Sequence, residues 1–172
     1  GNHDKGAASS GTVPTNESIY TLMGMNTNTG KLYYYKDYTA TEPVKNGVVY
    51  KIRMIFLNQY DIDGVTGSLI NNYTTYSQEQ IDWLISTLQD AKTNGYAVMV
   101  CLHTQDRNMG CIANTKKFYD RVYDASGKAG AGPDPIIEDI VNAFKTGSTL
   151  IKDYTWDNIS RTVSVNASFS GA

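Results

Sequence analysis

The sequence is poor in the residues that staple or interrupt small folds, with two cysteines, four prolines and two histidines among 172 residues. Two thiols cannot build the disulfide framework that small secreted domains use in place of a large core. Cys101 lies in the apolar run YAVMVCL, where a thiol usually serves as a small buried hydrophobe. An excess of one charge is also missing: 15 basic residues against 17 acidic ones leave a formal charge of −2. That balance lacks the basic footprint of a binder of nucleic acid or anionic lipid, and no nucleic-acid partner is expected. No apolar run approaches the roughly 18 residues that a membrane span requires. The opening GNHDKGAASSG has neither the basic region nor the apolar stretch of a signal peptide. No membrane partner is expected. The first residue is not methionine, so an upstream portion or an expression remnant is expected to have been removed.

What is present fits a globular domain. The apolar fraction of 41% is ordinary for one hydrophobic core, and the chain is long enough to bury one. Tyrosine is abundant at 13 residues, partly gathered in Tyr33, Tyr34, Tyr35 and Tyr38. Aromatic rings stack on sugars, but tyrosine is also a common strand residue.

Residues Pro14 to Met25, with Ile19, Leu22 and Met23 at helical spacing, predict a short helix. NTNTGKLYYYKDY, a break at Lys45-Asn46-Gly47 and then VVYKIRMIFLN predict an antiparallel hairpin. The second arm, residues 48 to 57, is nearly continuous in apolar residues and reads as a central strand. Ser77 can cap a helix with Gln80 closing a capping box, followed by Ile81, Leu84, Ile85 and Leu88 on one face and Asn94-Gly95 as the stop. A strand over 96–102 follows. Strand, helix and strand in that order predict parallel pairing through a crossover. A loop from Gln105 to Gly132 leads to a helix opened by Asp134-Pro135 and closed by Gly147. The end, ISRTVSVNASF, alternates as a half-buried strand does.

Both histidines stand where a site would use them: His3 inside GNHD, and His103 at the C-terminal end of an apolar strand. GNHD, then an apolar strand, SQEQIDWLISTLQDA and a G-x-x-V-x-V-x-x-H strand ending on His103 resemble the second half of calcineurin-like metallophosphoesterases. The resemblance covers about residues 1 to 104. PIIEDIVNAFKTGSTL and VSVNASF further resemble bacterial and phage-associated members. It implies an α/β fold, a partial αββα sandwich with a mixed sheet and flanking helices. It also implies that residues 1–172 form the C-terminal portion of a single such domain.

Carried onto this sequence, the resemblance implies that Asn2 and His103 ligate one metal, Asn2 through its amide oxygen and His103 through an imidazole nitrogen. His3 would stand beside the phosphate and protonate the leaving oxygen, and Asp4 would hold His3 by its other N–H. The intact parent would use two divalent metals, Mn, Fe or Zn, to hydrolyse phosphate mono- or diesters. The family's D-x-H, G-D-x-x-D and G-H-x-H motifs do not occur here. The chain alone is therefore expected to bind no metal and to be inactive. Asp106, Arg107, Lys116 and Lys117 in the long loop are candidates for the substrate rim. The alternative is a non-enzymatic module whose Tyr-rich hairpin contacts carbohydrate or protein. Strands apolar on both sides, without the rest of the domain to cover them, further predict a homo-oligomer.

Overall fold

The computed structural model describes residues 15–42, 47–58, 61, 76–102, 136–156 and 161–170. Thr15, in extended backbone, accepts a hydrogen bond from the Ser18 amide and starts helix α1, Asn16–Leu22. This helix is shorter than its apolar spacing suggests. Its cap fixes the start at Thr15 and the chain turns at Gly24, so only Ile19 is buried while Leu22 and Met23 are exposed.

Strand β1, Tyr34–Thr39, pairs antiparallel with β2, Lys51–Phe56, from Tyr34 opposite Phe56 to Thr39 opposite Lys51. Helix α2, Gln78–Thr93, then crosses over to β3, Ala97–Cys101, which lies parallel to β2. The sheet order is β1-β2-β3, which places the apolar strand β2 in the centre. The mixed sheet and its crossover helix are those anticipated from the hydrophobic periods.

The ends of α2 follow local chemistry. The Ser77 hydroxyl accepts from the Gln80 amide at 3.1 Å, a helix N-cap. At the other end Tyr96 N–H bonds Ala91 O and Gly95 N–H bonds Lys92 O, a Schellman closure. It needs the positive φ of 71° at Gly95. The expected capping box is not completed, because the Gln80 side chain turns away from Ser77. Its amide oxygen accepts from Asn58 N–H at 2.8 Å and its amide nitrogen donates to Asn58 O at 2.9 Å.

Helix α3, Ile136–Thr146, buries Ile136, Ile137, Ile140 and Ala143 and ends at Gly147 in the same kind of closure. Strands β4, Thr149–Trp156, and β5, Arg161–Ser168, form a two-stranded antiparallel sheet. The sequence pattern announces β5 but not β4. The reason lies in Lys152, which shares a face with Leu150 and buried Tyr154 and breaks the alternation. Its ammonium bonds Asp139 at 2.9 Å and lies 4.6 Å from the Tyr154 ring centroid, so the charge is partnered.

The core joins Ile55 and Leu57 of the three-stranded sheet to Ile81, Leu84 and Leu88 of α2, to Ile136 and Ile140 of α3, and to Val163, Val165 and Phe169 at the end of the chain. Three side chains of α2 also reach the backbone of β5 and the residue after it. Gln78 accepts from Ser164 N–H and donates to Ser164 O, both at 2.8 Å, Gln89 donates to Ser168 O at 3.1 Å, and Lys92 donates to Phe169 O. The edge of β5 is thus occupied by a helix, which satisfies backbone groups that would otherwise be open to another strand. No helix among the described residues is long and apolar enough to cross a membrane.

Candidate functional site

Strands β2 and β3 run parallel and finish side by side, with the ladder extended by Leu57 N–H to Cys101 O at 3.1 Å. In open α/β sheets the carboxyl ends of parallel strands are where ligands bind, because the loops that follow them converge there. What leaves this edge is therefore the region to inspect.

On the β2 side the chain is clasped as it exits. Gln80 is fully buried and holds both backbone groups of Asn58, so the strand ends in one fixed direction. Beyond it, Asp61 accepts a hydrogen bond from the Ser77 hydroxyl and a longer one, 3.4 Å, from the Asn58 side-chain amide. The same Ser77 oxygen caps α2. Asn58, Asp61, Ser77 and Gln80 thus form one polar cluster at the end of β2 and the start of α2. Sequence reasoning found Ser77 and Gln80 as helix-start residues only. Asp61 carries no signal in the sequence, since the hydroxyl it accepts from, that of Ser77, belongs to the start of the next helix.

Alongside lies a cleft of about 550 Å3, lined by Glu17, Tyr20, Thr21, Lys31, Leu32, Asp61, Ser77 and Glu79. Its size suits a small ligand. Three of these residues are carboxylates and one is an ammonium, with Lys31 already bonded to Glu79 at 3.2 Å. Buried Tyr33 nearby has its phenol pKa raised, chiefly by burial and then by the charges of Asp61 and Glu79. The local field is negative, which disfavours an anionic ester in this cleft.

On the β3 side the strand ends at Cys101 and the next described residue is Leu102. Burial raises the pKa of the Cys101 thiol, which keeps it protonated and poorly nucleophilic. His103 follows Leu102 in the sequence. His103 itself, with Asn2, His3 and Asp4, lies outside the described residues, as do Asp106, Arg107, Lys116, Lys117 and Cys111. The structure therefore neither gathers nor separates the residues expected to ligate metal or donate a proton. Among the described residues no group of three or more His, Cys, Asp or Glu side chains is arranged to hold a metal ion.

At the opposite end of β2 stands the most heavily partnered charge of the described fold. Arg53, 3% exposed, makes two hydrogen bonds to the Asp37 carboxylate at 2.7 and 2.8 Å. It also bonds Asp90 at 2.6 Å and the Thr87 carbonyl at 3.1 Å. Its guanidinium lies between the rings of Tyr35 and Tyr96, 4.1 and 4.7 Å from their centroids. The Arg53 hydrogen bonds hold the Asp37 carboxyl below the usual carboxylate range, and the same bonds push the arginine pKa upward. Four hydrogen bonds tie the guanidinium to Asp37 on β1 and to Thr87 and Asp90 on α2, so the group is a strut between β1, β2 and α2.

Compared with known proteins, the chain matches no family model, no curated protein and no solved structure. The likeness to metallophosphoesterases accordingly rests on the motifs quoted for it.

Proposed function

We propose that this chain is the C-terminal portion of a calcineurin-like metallophosphoesterase, whose intact form hydrolyses phosphate mono- or diesters within an αββα sandwich. The observation that carries the reading is the position of His103. It comes just after the carboxyl end of β3, the parallel neighbour of central β2, where an α/β sheet presents its ligands. The GNHD segment supplies the second motif.

The donor types fit the implied metals. An amide oxygen from Asn2 and an imidazole nitrogen from His103 suit Mn, Fe or Zn, but they are two ligands short of even a tetrahedral set. The missing ligands would come from D-x-H, G-D-x-x-D and G-H-x-H elements on sequence outside these residues. When bound, the metal pair supplies charge neutralisation for the phosphate and an acidified water. His3 contributes a proton to the leaving oxygen, and Asp4 orients its imidazole by accepting the other N–H. The 172 residues alone do not turn over.

The rival reading, a non-enzymatic module whose Tyr-rich hairpin contacts carbohydrate or protein, has less to work with. Tyr33 and Tyr35 pack on Trp83 and Tyr34 stacks on Phe56, which leaves Tyr38 as the exposed member of the group.

The test is hydrolysis of nitrophenyl phosphate and bis-nitrophenyl phosphate by the protein that contains this chain together with its flanking coding sequence. The expected result is an activity that needs Mn, Fe or Zn and disappears with a chelator. Flanks without D-x-H and G-D-x-x-D, or no hydrolysis of either ester with any of the metals, would overturn the proposal.

A further inference from the structure

Strands β2 and β3 keep one register throughout, with Ile52 opposite Ala97 and Phe56 opposite Cys101. The bond from Leu57 N–H to Cys101 O carries the ladder one step past the strand ends. Counted two residues on from Phe56 and Cys101, the same register sets Asn58 opposite sequence position 103, on the sheet face that Phe56 occupies. Asn58 is itself fixed there. Buried Gln80 holds its backbone N–H and C=O at 2.8 and 2.9 Å, and its side-chain nitrogen donates to Asp61 at 3.4 Å. The other end of that amide is a carbonyl oxygen, an acceptor only.

We infer that Asn58 is a positioning residue for His103, its side-chain oxygen accepting the imidazole N–H that faces away from the metal. The inference rests on the phosphoesterase reading, in which His103 is a ligand. An imidazole that gives one nitrogen to a metal keeps an N–H on the other, and that N–H is almost always given to a carboxylate, a carbonyl or water. The partner sets the orientation of the ring and raises its basicity as a ligand. Neighbours across a ladder stand about 5 Å apart, a span that an amide and an imidazole close with one hydrogen bond. The Ser77 hydroxyl donates to Asp61 and Asp61 accepts from the Asn58 amide nitrogen, so the row runs from the cap of α2 to the end of β2. A carboxylate on the amide nitrogen polarises the amide and makes its oxygen the better acceptor.

The experiment is equilibrium dialysis against Zn of the protein that contains this chain with its flanks, as wild type, Asn58→Ala and Asn58→Asp, with circular dichroism of each. Asn58→Ala should stay folded, because Gln80 grips the backbone of residue 58 and not its side chain. It should bind Zn about 10- to 100-fold more weakly, the usual loss when the partner of a ligating histidine is removed. Asn58→Asp keeps an acceptor at the same place and should bind Zn as the wild type does, a rescue that a merely structural role does not explain. Wild-type affinity in Asn58→Ala, or an Asn58→Asp variant as weak as Asn58→Ala, would overturn the inference and leave the phosphoesterase reading standing. A wild type that binds no Zn would overturn both. Should Asn58→Ala not fold, Asn58→Leu, similar in shape and without an acceptor, takes its place under the same outcomes.

Discussion

Ile52 and Ile55 sit in the same strand, three residues apart, and point to opposite sides of the sheet: Ile55 is wholly buried under α2 while Ile52 is 40% exposed. Sequence cannot separate them, since both belong to one apolar run. What separates them is the partner layer. On the core side α2 is locked in place by its Ser77 cap, its Gly95 closure and its side chains on β5. On the outer side no described element packs against the strands. The difference teaches that the apolar content of a strand reports how many layers it is made for, whereas exposure reports how many it has.

The contrast can be broken most directly with alanine. Ile55→Ala should cost about 3–4 kcal/mol in urea unfolding, because a filled core site is left as a cavity. Ile52→Ala, at a side chain already 40% exposed, should cost under about 1 kcal/mol. Equal losses at the two positions would mean that the outer face is packed as firmly as the inner one.

Arg53→Ala should come next, at about 3 kcal/mol. The lower part of the range for a broken buried ion pair applies, since the Asp37 and Asp90 side chains are 29% and 54% exposed and regain water. The same strut gives a pH dependence. The Asp37 pKa is lowered in the folded state, so its contribution is present above the ordinary carboxylate pKa and is lost as pH falls through the depressed folded value. Thermal melting across acid pH should show this slope in the wild type and a smaller one in Asp37→Asn. Gln80→Ala is expected to cost about 2 kcal/mol, as Asn58 N–H and C=O lose their shared partner in a part-buried place. A cost near that of a plain surface substitution would show that water replaces the clasp.

Much of the fold was legible where its cause is local. The periods of 48–57, 77–94 and 96–102, with a hydroxyl cap and a left-handed glycine, were enough for a strand–helix–strand unit and for parallel pairing. Long-range causes were not legible. Gln80 has the spacing of half a capping box, while its partner in the fold, Asn58, lies 22 residues earlier. β4 has no legible alternation because Lys152 stands opposite buried Val165 and finds its anion on α3. The predicted ligand and acid residues stand in a different position: Asn2, His3, Asp4 and His103 fall outside the described residues, so only their place in the chain speaks for them.

Metal content is the most direct measure of the functional account. In the protein containing this chain with its flanks, bound Mn, Fe and Zn should be counted for the wild type, His103→Ala and His3→Ala, beside kcat on a phosphate ester. The account predicts that His103→Ala loses metal, while His3→Ala keeps it and loses kcat, as expected if His103 is a ligand and His3 an acid. Equal metal in the wild type and His103→Ala would contradict it.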